Sequence, residues 1–346
     1  MAPIAAALLP HPPLLVPGLA GTAASELDPL RAACREALIT VTAAADLTIL
    51  VGTGPVWAVP TPSAIGSFHP YGTDLEVTLP TLTDLDLPAA LTDLQLPVLS
   101  DNDLPGIPPP ALLAELPLSL AIAAHLLATL DPPPPRLAAV TVPAALGPSA
   151  AAAFGHTLAA AGQRAAADDS GPRSGAAAGQ GRGSPVRVRP AGRVGLVVMG
   201  DLSACRTDRA PGTFRPEAAA YDASISEAFR SAAPQRLLDL DPTQAASLLV
   251  SGRVPLQVLA GAFEQIDPTG EARGRQGEPG RGGLHAKAPS ETVSDAAPGE
   301  TGPSAVLAHA GSGGIPDQSL GELRGRVLYE EAPYGVGYLV ALLTTS

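Results

Sequence analysis

Residues 193–200 read RVGLVVMG, and Asp201 follows directly. A short, continuous apolar run closed by an acid is the pattern of a strand buried on both faces. Six further runs share this character: Pro3–Leu9, Asp46–Gly52, Leu75–Leu79, Arg136–Val142, Gly325–Tyr329 and Tyr338–Leu343. Helical patterns separate them. Ala23–Thr42 carries Leu27, Leu30, Cys34 and Leu38 on one face, and Leu118–Leu130 and Gly147–Ala161 each follow a proline. Pro216–Ala232 opens with a proline suited to the first helical position and has Glu217 in its first turn. Asp241–Val250 and Pro255–Phe263 complete the set. Strands alternating with helices predict an α/β chain, with a mainly parallel or mixed central sheet flanked by helices.

Composition narrows the picture. Apolar residues make up 46% of 346 positions but aromatics only 3%, so Ala, Val and Leu must fill the core. Residues 165–192 and 268–304 are poor in large apolar side chains and rich in Gly, Pro, Ser and charge. Such stretches bury too little surface to offset ordering entropy, so both are expected to be disordered insertions within one domain spanning 1–346. The formal charge of −12 opposes a nucleic-acid partner. Two cysteines, Cys34 and Cys205, are too few for a disulfide framework, which points to a reduced, cytoplasmic setting. Leu118–Leu130 is the longest apolar stretch outside the N-terminus, and it falls short of the roughly 20 residues a membrane helix needs. The N-terminal run has no Lys or Arg before Arg31 and is interrupted by His11 and prolines, unlike a secretory signal.

Four segments, in order, carry a family resemblance. They are AAALLPHPPLL at 5–15, VVMGDLSACRT at 197–207 followed by APGTFRPEAAAYDASI, SLLVSGRVPLQVLAGAF at 247–263, and YEEAPYGVGYLVALL at 329–343. Together they resemble the B-subunit-like branch of the class III extradiol ring-cleavage dioxygenases, a superfamily that also includes the Memo-like proteins. The resemblance implies non-haem Fe(II) held by two histidines and a carboxylate, with open positions for a catecholate and dioxygen. It also implies a further histidine as acid/base, a small aromatic substrate, and a homodimer or a small partner subunit as modes of assembly.

Carried over by position, His11 matches the first metal-ligand histidine. Asp201 and Ser203 match the Asp-Leu-Ser of the catalytic Asp-Leu-Ser-His motif, and Ala204 stands where its histidine would be. The second ligand histidine follows the next strand in the family, but residues 52–55 read Gly-Thr-Gly-Pro. Ser251-Gly252-Arg253 replaces the Cys-Gly-Arg of the Memo-like branch, making Ser251 and Arg253 candidate pocket residues. Cys205, His69, Glu330 and Glu331 are the other candidate donors for a site, with Glu331 counted among the pocket residues. Neither the Gly335–Gly337 turn nor Gly311–Gly314 has the context of a phosphate loop. Two functions follow from this pattern: an Fe(II) extradiol dioxygenase with an altered site, or a non-catalytic module that keeps the fold and binds a small molecule or a protein.

Overall fold

A computed structural model describes residues 2–80, 82, 111–168, 192–264 and 322–346. These fall within one compact unit. The described strands are β1 (Ala5–Leu9), β2 (Leu47–Gly54), β3 (Ala58–Ser67), β4 (Glu76–Thr78), β5 (Ala111–Glu115), β6 (Leu137–Pro143), β7 (Val194–Met199), β8 (Leu323–Glu331) and β9 (Tyr338–Thr345). The main helices are α1 (Asp28–Ala44), α2 (Leu118–Leu127), α3 (Pro148–Asp168), α4 (Ala218–Arg230), α5 (Pro242–Ser247) and α6 (Arg253–Phe263).

The strands form one mixed sheet in the order β4-β3-β6-β2-β7-β1-β9-β8, with β5 pairing β3 from outside that path. The centre is parallel: β6 with β2, β2 with β7, and β7 with β1. Antiparallel β9 and β8 extend one side. Every residue of β1 and β7 is buried, as expected for interior strands covered on both faces.

Because side chains alternate across a strand, β1 divides its residues between two cores. Ala6 and Leu8 join the side built with Phe154, Leu158, Ile225, Val254 and Leu259 from α3, α4 and α6. Ala5, Ala7 and Leu9 join the opposite side, with Leu30, Leu38, Leu120 and Ile122 from α1 and α2. The sheet is therefore sandwiched between helices, the α/β class read from the sequence.

Two strands were not legible. In β3, Pro60 and Pro62 argue against a strand. The structure tolerates them because β3 meets β6 only at Ala58–Thr141, while its ladder with β5 shifts register between Pro60 and Ile65. β5 lies just beyond a stretch outside the described residues. The insertion expected at 165–192 begins too early, since α3 continues to Asp168. The rest of that insertion up to 191, the whole of 268–304 and Gly311–Gly314 lie outside the described residues.

Candidate functional site

β1 and β7 are parallel neighbours, so their carboxyl ends lie side by side. The chain leaving β1 carries His11, and that leaving β7 carries Asp201. Open α/β sheets build sites at such strand ends. The backbone N–H of His11 donates to Asp201 Oδ1 at 2.8 Å, and His11 Nδ1 lies 3.9 Å from the same oxygen. The imidazole is only 9% exposed, and its Nδ1 is buried with no hydrogen-bond partner. A buried polar atom left without a partner is costly and uncommon.

Ser251 belongs to this centre. Its Oγ accepts the Asp201 N–H at 3.1 Å, and the Gly252 N–H donates to Asp201 O at 3.0 Å. A Cβ on Gly200 would sit 2.3 Å from Gly252 Cα, so only glycine permits this close crossing of two chain segments. The structure thus places three of the candidate residues, His11, Asp201 and Ser251, side by side.

Ser203 has a different task. It is fully buried; its N–H donates to Asp222 Oδ1 at 2.9 Å, and its Oγ donates to Leu248 O at 3.1 Å. Asp222 also receives Arg206 Nη1 at 2.8 Å. Burial raises the Asp222 carboxyl above its ordinary value, while Arg206 and the Ser203 N–H pull it down. Asp222 is one anchor of the 201–206 turn, beside backbone bonds to Gly335, Gly337 and Leu248, and sequence reading missed it. A signal existed: Asp222 lies on the buried stripe of α4 with Ala218, Tyr221, Ile225 and Phe229.

Arg253 turns toward loop backbone. It donates to Ala144 O at 2.6 Å, Leu146 O at 2.9 Å and Gln257 Oε1 at 2.8 Å, and is 6% exposed. Burial lowers its pKa. It clamps the segment after β6. Glu331 lies at the end of β8, exposed, and accepts the Tyr329 hydroxyl at 3.2 Å. Burial and then Glu331 push the Tyr329 phenol up to about 12.

The remaining candidate donors are engaged elsewhere. Cys205 is buried, and a Cβ on Gly212 would lie 2.6 Å from its Sγ. His69 Nδ1 is 2.9 Å from Asp74 Oδ1 in the open, with its side chain 78% exposed. Glu330 takes the Ser226 hydroxyl at 2.6 Å and pairs with Arg230.

No family model matches this chain, and no curated protein matches it. Among solved structures, an uncharacterized protein from Escherichia coli K12 is similar at 11% identity, over 98% of this chain and 99% of that one, with a TM-score of 0.47.

Two groups that sequence reading left unassigned feel the charge of Asp201. The Cys34 thiol, on the buried face of α1, and the Tyr338 phenol, at the start of β9, are both driven upward by burial first and the Asp201 charge second. Both are therefore neutral at ordinary pH. Cys34 and Tyr338 lie in the apolar core on the same side of the sheet as Leu9 and Met199.

An extradiol iron needs three protein donors on one face of an octahedron. His11 and Asp201 supply two, and the orphaned Nδ1 suits such a role. The positions that would supply more do not. Residues 52–55 hold no histidine, and Gly52 faces Ser119, whose Oγ would lie 2.5 Å from a Cβ built there. Among the described residues, no group of three or more His, Cys, Asp or Glu side chains is placed to hold a metal ion. The residues present do not fit a three-ligand iron centre. Among the described residues, no helix is long and apolar enough to cross a membrane.

Proposed function

We propose that this chain is a degenerate relative of the class III extradiol dioxygenases that binds a small hydroxylated aromatic molecule without cleaving it. One observation carries this reading. The buried, unpartnered His11 Nδ1 lies 3.9 Å from Asp201 Oδ1 at the carboxyl ends of two central parallel strands. A carboxylate and the free nitrogen of a neutral imidazole are both acceptors. A ligand bearing adjacent hydroxyls supplies two donors to such a pair.

Donor chemistry disfavours retained ring cleavage. With two protein ligands, too little fixes the geometry of an iron or displaces its water. The acid/base position of the resembled motif is Ala204, so a catechol proton has no carried-over acceptor there. The same orphaned nitrogen favours a second reading, in which His11 and Asp201 hold a divalent metal together with groups of the substrate.

Iron binding and oxygen uptake separate the two. Protein purified without oxygen is titrated with Fe(II) and then supplied with catechol and dioxygen. The proposal expects no stoichiometric iron and no uptake above a protein-free control. One iron per chain, lost in His11→Ala, together with catechol-dependent oxygen uptake, would establish the second reading instead.

A further inference from the structure

We draw no further inference here: the strongest candidate, the crevice of about 520 Å³ between the Thr207–Arg209 loop and the β8–β9 turn at Tyr334 and Gly335, offers only exposed polar side chains, and nothing in the structure shows what covers it.

Discussion

The backbone N–H of His11 donates to Asp201 Oδ1 at 2.8 Å, so one carboxylate ties the end of β1 to the end of β7 while facing the imidazole of the same residue. Removing that carboxylate leaves the His11 N–H without its acceptor. Asp201→Ala is expected to lower unfolding free energy by about 1–3 kcal/mol. Asp201→Asn, which keeps an acceptor oxygen, should lose less. Urea unfolding of the two variants reads the difference, and equal losses would contradict this role.

Asp222 sets a pH dependence. Its folded pKa is raised, chiefly by burial. A carboxyl raised on folding gives a stability contribution that is complete below its unfolded value and fades as pH rises through the folded value. Asp222→Asn should therefore flatten the decline in stability just above the ordinary carboxylate range. Asp222→Ala, which strands the Ser203 N–H and Arg206, should cost roughly 3 kcal/mol at neutral pH. Melting temperature against pH for wild type and both variants checks the sign.

The Gly200–Gly252 crossing has no room for a methyl group, since a Cβ on Gly200 would lie 2.3 Å from Gly252 Cα. Gly200→Ala should cost about 1–3 kcal/mol, as overpacking of backbone against backbone does. Because both chains at the crossing carry site residues, ligand binding at His11 should weaken in parallel. A variant with wild-type stability would show that the two segments separate easily.

Arg253 is held by carbonyls of the segment after β6 and by Gln257, so its loss should be felt in folding. Arg253→Met is expected to destabilise by about 2–4 kcal/mol, and Arg253→Lys to recover only part, because one ammonium cannot reproduce a forked set of donors. Binding per folded molecule should stay unchanged. A binding defect in a stable Arg253→Met protein would return Arg253 to the pocket.

The elements were most legible where burial is most complete. The runs that became β1, β2, β6, β7 and β9 are continuous and apolar because each is covered on both faces. β3 was hidden because its prolines fit only where pairing is interrupted, which is a tertiary fact. Among site residues, His11 and Asp201 announce themselves by following strands. Ser203 and Arg253 match a motif, yet their side chains serve the backbone. Asp222, Cys34 and Tyr338 were missed for a common reason: each sits in an otherwise apolar pattern, where one polar group reads as noise until the fold supplies its neighbours.

On the proposed function, the His11–Asp201 centre recognises adjacent hydroxyls without a metal. Calorimetric titration of metal-stripped protein with catechol under anaerobic conditions tests it most directly, with His11→Ala beside the wild type. The metal-free wild type is expected to show saturable one-to-one binding, weakened at least about tenfold in the variant, which corresponds to about 1.4 kcal/mol. Catechol binding that is absent from the metal-free protein and emerges only when Fe(II) is added would contradict it.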